Sequence, residues 1–208
     1  MTKWPRKVEI IDWTICAEYF EEKGNSQLSN YAVKELWGKK FIGIMYCFEN
    51  WKTLYSDTDV LWLNDPTSSL NIEATAPFIK MSQDIEPCYS QKMIEYLDEQ
   101  SLDQVPLNAG VIFGSGDFSS LIKWERLCNY LNDKPDNRTE QTAFAILTKY
   151  FGSSWTMDEI FLGVDDINTL FSKYFTRYSS ILARHYVNTK QWLFWRDYLT
   201  MCFKKKHR

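Results

Sequence analysis

Asp57 and Asp59 stand two positions apart in Tyr55-Ser56-Asp57-Thr58-Asp59, which follows Thr53-Leu54 and leads into Val60-Leu61-Trp62-Leu63. In an extended chain, residues i and i+2 face the same way about 6.5 to 7 Å apart, so the run predicts two carboxylates presented together at a strand end. Hard divalent cations take oxygen ligands and are commonly held by one or two carboxylates plus substrate phosphates, which neutralises a departing diphosphate. An aspartate-rich chain of this length yields roughly one D-x-D by chance, so the setting matters. Here the pair emerges from an apolar, β-competent run, and ligands of open α/β sheets collect at the carboxyl ends of strands.

Other side chains carry two readings each. Asn108 is a fixed amide with donor and acceptor, suited to sugar hydroxyls, and Gly110 lets backbone approach a ligand closely; the same pair also reads as a strand-end turn. Glu140 and Gln141 suit either hydroxyl binding from a helix N-terminus or helix capping. His185 is one of two histidines, and beside Tyr186 it reads as a packed residue or as a ligand.

The elements that must position these groups follow from apolar spacing and turn residues. Residues 8–13 read as a short strand, 15–23 are ambiguous, and Ser29 or Asn30 can cap a helix through Tyr31, Val33, Leu36 and Trp37. Phe41, Ile44, Met45 and Phe48 predict a helix over 40–51, and residues 52–63 read as a strand leading into the acidic loop. Further strands are expected at 78–81, 107–113, 161–164 and 186–187, with helices at 89–98, 118–131 and 140–150. Strands interleaved with helices predict an α/β fold.

Composition narrows the rest. The 208 residues are 45% hydrophobic and 25% charged, which predicts one globular domain over 1–203 followed by a basic tail, 204–208. The net charge of -3 argues against a nucleic-acid partner. Lys204-Lys205-Lys206-His207-Arg208 after Trp192, Trp195 and Phe203 suits weak contact with an anionic membrane surface, or a solvated terminus. Five cysteines with no C-x-x-C spacing suit free thiols in a reducing compartment. With neither a signal-peptide core nor an apolar run of membrane-spanning length, a cytoplasmic protein is expected, peripheral at a membrane surface if the tail docks. Most of the nine tryptophans are expected in the core, and none is assigned to substrate.

The segment Tyr55-Ser56-Asp57-Thr58-Asp59-Val60-Leu61-Trp62-Leu63-Asn64-Asp65-Pro66 resembles the D-x-D segment of the nucleotide-diphospho-sugar transferases, the group that includes glycosyltransferase families 8 and 77. Leu107-Asn108-Ala109-Gly110-Val111-Ile112 is similar to that group's N-A-G strand, Glu140-Gln141 to its acidic-residue-then-Gln pair, and Arg184-His185-Tyr186-Val187 to its late histidine motif. The resemblance covers residues 37–195 and implies a GT-A-like, Rossmann-type mixed sheet flanked by helices. It also implies a metal-dependent, retaining hexosyltransferase. Asp57, Asp59 and His185 would hold Mn²⁺ (or Mg²⁺). Tyr55, Ser56, Thr58, Asn108, Ala109, Gly110, Glu140 and Gln141 would contact a nucleotide-diphosphate sugar, a UDP-sugar by preference, with a glycan, lipid or protein as acceptor. No side chain is assigned as the catalytic nucleophile. Less chain precedes Asp57 than in the family, so the first βαβ unit is expected to be incomplete, and Asn188 stands where family 8 usually has Gly.

Two other readings compete. Haloacid-dehalogenase-like phosphatases also place D-x-D after a strand, and Asp165-Asp166 would then supply late metal ligands. A glycosyltransferase remnant that binds a glycan or protein without turnover is the non-enzymatic alternative.

Overall fold

Asp12 starts the first helix of this computed structural model, which describes residues 9–70, 77–104, 106–162, 181–187 and 191–206. Its carboxylate accepts from the Thr14 amide at 3.0 Å, capping α1 (Trp13–Glu22). The strand expected over 8–13 is therefore not formed: residues 9–12 pair with no strand among the described residues, Ile10 is 89% exposed, and Val8 lies outside the described residues. A β-branched run without a partner strand loses to a side chain that satisfies orphan helix amides. The ambiguous stretch that follows is helical, with Cys16, Ala17 and Phe20 facing the core.

Helix α2 (Ser26–Lys34) begins before Ser29, and the extended backbone of Glu35 separates it from α3 (Leu36–Asn50), so Leu36 and Trp37 open the third helix instead of closing the second. Among the described residues no strand precedes β1 (Thr53–Ser56). The strand expected over 52–63 is two strands, β1 and β2 (Val60–Trp62), and they belong to different sheets. Between them Asp57, Thr58 and Asp59 form a turn in which the Val60 amide donates to the Asp57 carbonyl at 3.3 Å.

The remaining elements are β3 (Phe78–Gln83), α4 (Gln91–Leu97), β4 (Leu107–Ser115), α5 (Trp124–Asp133), α6 (Thr139–Phe151), β5 (Gly152–Trp155), β6 (Ile160–Leu162), β7 (Ala183–His185) and α7 (Gln191–Lys206). Short 3-10 turns lie at Thr67–Leu70 and Gln100–Gln104. Helix α5 starts six residues later than expected, because Phe118 and Leu121 are buried from turns and Ile122 is fully exposed. The last strand precedes Tyr186, which is unpaired in the ladder, and of the strand expected over 161–164 Gly163 and Val164 lie outside the described residues. Helix α7 takes in Lys204–Lys206 of the basic run.

The larger sheet has the order β1-β4-β3-β5, with β4 antiparallel to both neighbours and β3 parallel to β5. The smaller has the order β2-β7-β6, antiparallel then parallel. The fold is thus mixed α/β. Ile79, Met81, Leu107, Ala109 and Ile112 pack with α1 to α6 in one core. On the opposite face Phe78, Val111, Phe113 and Trp155 meet Val60, Ile160 and Ala183 of the smaller sheet. Among the described residues helices α1 to α6 flank the main sheet on one side, and the second sheet covers the other, with α7 packing against it through Leu193, Leu61 and Tyr186. No described helix is long and apolar enough to cross a membrane.

One irregularity shapes the site. Met81 pairs with Ile112, but its neighbour Ser82 pairs with Asn108, so residues 109–111 of β4 stand out of register with β3. Such bulges bend a strand and re-aim its side chains.

Candidate metal and donor site

The bulge and the turn meet. The Asp57 amide donates to the Gly110 carbonyl at 2.8 Å, fixing the start of the turn against β4. Past the turn, Val60 pairs with His185 across the β2–β7 ladder and the Tyr186 amide donates to the Asp59 carbonyl at 3.0 Å. These backbone bonds bring His185 Nε2 to 3.2 Å from Asp59 Oδ1. One ligand atom from each of Asp57, Asp59 and His185 lies within 4.8 Å of the others. The two aspartates are presented by a turn and not by the extended spacing predicted from i and i+2.

Gly110 lies under the imidazole: a Cβ there would fall 2.1 Å from His185 Cε1 and 2.5 Å from Nδ1. His185 is buried, its Nδ1 has no hydrogen-bond partner among the described residues, and Asp59 Oδ1 has none there beyond its ion-pair contact with His185 Nε2. Buried polar atoms without partners are uncommon and call for an explanation such as an ion. Oxygen and nitrogen donors converging with unspent lone pairs fit a divalent cation of the Mn²⁺ or Mg²⁺ kind.

Lys40, from α3, reaches into the same cleft. Its ammonium is 3.2 Å from Asp57 Oδ1 and 3.4 Å from Glu140 Oε1, and it donates to the Ala109 carbonyl at 3.2 Å. The Tyr55 hydroxyl also donates to Asp57 Oδ1, and the Lys40 ammonium sits 5.0 Å from the Tyr55 ring centre. Burial pushes the Glu140 carboxyl up to about 7, despite Lys40 pulling it down and with Asp57 adding to the rise. Burial also opposes ionisation of Asp59, but the adjacent His185 outweighs it and holds that carboxyl below its ordinary value. Tyr55 is raised by burial and by its bond to Asp57.

The remaining sequence-predicted residues are placed unequally. Asn108 accepts from the Gly110 amide at 2.8 Å and donates to Asp84 at 3.0 Å, so its amide braces the bulge. Gln141 accepts from the Ala109 amide at 3.4 Å and donates to the Cys88 carbonyl at 3.0 Å. Both still line, with Asp57, Asp59, Ala109, Gly110, Glu140 and His185, a cavity of about 300 Å³, at the lower end of small-ligand sites. Tyr55, Ser56 and Thr58 do not line it: Ser56 is bonded to the Trp62 indole at 3.2 Å and Thr58 is exposed at the turn. Sequence reasoning missed Lys40, Trp37 and Arg138, which also line the cavity. A larger cavity of about 390 Å³, by Leu102, Leu107, Ala145 and Gly152, is lined by no acidic or histidine side chain.

Fold and site together define a mixed α/β protein with an acidic, histidine-bearing cleft. Three solved structures to which it is similar are glycosyltransferases. They include the apo-form glycosyltransferase GlyE of Streptococcus pneumoniae TIGR4, at 19% identity and TM-score 0.47 over 73% of this chain and 37% of that one. A glycosyltransferase involved in glycosylation of the major capsid of PBCV-1 is 13% identical, TM-score 0.40, over 92% of this chain and 78% of that one. The galactosyltransferase LgtC, in complex with donor and acceptor sugar analogs, is 18% identical, TM-score 0.36, over 66% and 53%. The chain thus spans little more than a third of the length of GlyE and about half that of LgtC. No protein-family model and no curated protein matches the sequence. At these scores the functional reading rests on the cleft itself.

Proposed function

We propose that the protein is a metal-dependent glycosyltransferase that moves a sugar from a nucleotide-diphosphate donor to a hydroxyl-bearing acceptor. The observation that carries this is the convergence of Asp57, Asp59 and His185 within 4.8 Å at a cavity also lined by Lys40, Glu140 and Gln141. Asp57, Asp59 and His185 would hold Mn²⁺ or Mg²⁺, which when bound supplies positive charge to the diphosphate leaving group. Lys40 adds a second cation on the same side, orienting phosphate oxygens while its bonds to Asp57 and Ala109 keep it in place. Glu140, whose carboxyl burial pushes up to about 7, would hydrogen-bond a sugar hydroxyl, and Gln141 lies next to it. The sequence resemblance extends the proposal to a UDP-sugar, a hexosyl group and a retained anomeric configuration. The acceptor is a glycan, lipid or protein.

Nothing among the described residues favours phosphoester hydrolysis: Asp165 and Asp166 lie outside them. The test is calorimetric titration of Mn²⁺ and a panel of nucleotide sugars, followed by transfer with the donor that binds. Asp59→Ala is expected to remain folded, because the backbone carbonyl and not the side chain bonds Tyr186, and to lose transfer by at least about a hundredfold. Full activity in that variant would remove the proposal, and a chain that binds no nucleotide sugar with or without Mn²⁺ would favour a non-catalytic role.

A further inference from the structure

Three side chains at the rim of the cleft have no part in holding metal or donor. Trp37, Asn137 and Arg138 line the same cavity as the acidic cluster and are exposed, Trp37 by 44%. Trp37 stands three residues before Lys40 on α3, so the two share a helix face. Its placement is fixed by its neighbour: a Cβ on Gly38 would fall 2.4 Å from the Tyr31 carbonyl oxygen, so the first turn of α3 rests directly on the backbone of α2. Among the described residues the Trp37 indole N–H has no hydrogen-bond partner. An indole held in this way offers a ring face and a donor to whatever enters the cavity.

Arg138 is held by its backbone alone. Its amide donates to Asp136 Oδ1 at 2.9 Å, and its carbonyl accepts from the Thr142 amide at 3.0 Å and the Thr142 hydroxyl at 2.8 Å. The guanidinium makes no hydrogen bond or ion pair among the described residues. Of the two acids within two residues of it, Asp136 is engaged by Ser90, Thr139 and the Arg138 amide, and Glu140 by Lys40. Arg138 is the N-cap of α6, yet its side chain caps nothing. That position ordinarily takes Ser, Thr, Asp or Asn, and a cation there opposes the helix dipole. A residue that breaks a local rule with no structural return is expected at a functional site.

We infer that this rim binds the acceptor and selects a sugar that carries a carboxylate or a phosphate, its ring against Trp37 and its anionic group on Arg138. The inference rests on the transfer reading for its direction. With the diphosphate at Asp57, Asp59 and His185 and the donor sugar at Glu140 and Gln141, Asn137 and Arg138 run straight into the residues that hold the sugar. They therefore stand on the side from which an acceptor hydroxyl must come. The chemistry of the acceptor follows from the rim itself. An aromatic face at a cavity mouth suits the C–H face of a pyranose, and a planar fork of N–H donors suits a carboxylate or phosphate. The Asn137 amide adds a donor and an acceptor for a hydroxyl. A neutral acceptor would leave the guanidinium unused.

The test is a saturation-transfer NMR titration of the full chain with glucose, glucuronic acid and glucose 6-phosphate, in the presence of Mn²⁺ and UDP. The two charged sugars separate carboxylate from phosphate. At least one of them is expected to bind about tenfold more tightly than glucose or better. Arg138→Gln should shrink that preference to within about twofold and leave glucose unchanged. Trp37→Ala should weaken all three sugars by about fivefold or more, with UDP affinity held within about twofold. Should Trp37→Ala misfold, the wild-type preference and Arg138→Gln decide alone. Equal affinity for the three sugars, a preference that survives Arg138→Gln, or a folded Trp37→Ala that loses UDP and keeps the sugars would overturn the inference. So would no binding of any sugar, or a chain that transfers to neutral acceptors only, which keeps the transfer reading and removes the charged rim. Anionic sugars bound by a chain that takes no nucleotide sugar would do the reverse.

Discussion

Gly110 lacks a side chain for a spatial reason: the volume a methyl group would fill is taken by the imidazole of His185. Gly110→Ala is therefore expected to destabilise the fold by about 1 to 3 kcal/mol and to weaken Mn²⁺ binding, as measured by urea denaturation and calorimetry. Combined with His185→Ala, the same substitution should cost much less, since the clash is gone. Glu140 makes a different prediction. Its carboxyl is raised by burial to about 7, so between the ordinary value near 4.5 and about 7 the native protein holds a proton the unfolded chain has released. Stability from this group is full below that window and falls as pH rises through it. Glu140→Gln should leave the melting temperature nearly unchanged at pH 4.5 and raise it relative to wild type at pH 8, by up to ~3 kcal/mol equivalent. Much of this cleft was legible as residue types: Asp57, Asp59, His185, Asn108, Glu140 and Gln141 all line one cavity. Lys40 was not, because a lysine beside Lys39 in a helix reads as a solvated face, and only the packing of α3 turns one of the two inward. Nor could spacing show that Asn108 and Gln141 spend their amides on backbone partners.

At the scale of elements, local pattern and tertiary pairing divide cleanly. Helix α6 and strand β4 were readable to within two residues at each end, since both are apolar runs with a consistent period. Phe41, Ile44, Met45 and Phe48 likewise point into the core as their spacing predicts. The division of residues 52–63 between two sheets was not readable, because both halves are β-competent and only their partners, β4 and β7, separate them. The parallel pairing of β3 and β5 carries a prediction of its own. Gly152 is extended, so its backbone is unstrained, but a Cβ would fall 1.6 Å from the Ile79 carbonyl oxygen on the neighbouring parallel strand. Backbone cannot yield as a side-chain tip can. Gly152→Ala should cost at least about 3 kcal/mol in chemical denaturation while leaving Asp57, Asp59 and His185 untouched.

At the scale of the whole molecule, the turn that carries the acids joins the two sheets of the described residues. Asp57 directly follows β1 of the larger sheet, whereas Asp59 directly precedes β2 and His185 ends β7 of the smaller, so a bound ion would tie one sheet to the other. Mn²⁺ at about 100 times its dissociation constant should then stabilise the native protein by about 2.7 kcal/mol, seen as a rise in melting temperature that EDTA reverses and Asp59→Ala abolishes. An unchanged melt with saturating Mn²⁺ would count against any ion at this position. The central strand of the smaller sheet, β7, is drawn from the late part of the chain, although β2, which it pairs with, is drawn from the early part. Because synthesis is vectorial, the ribosome releases Asp57 and Asp59 long before His185 exists. A chain cut short in translation before β7 would carry the two acids without the imidazole, and the cleft gains His185 only after the intervening strands and helices have been synthesised.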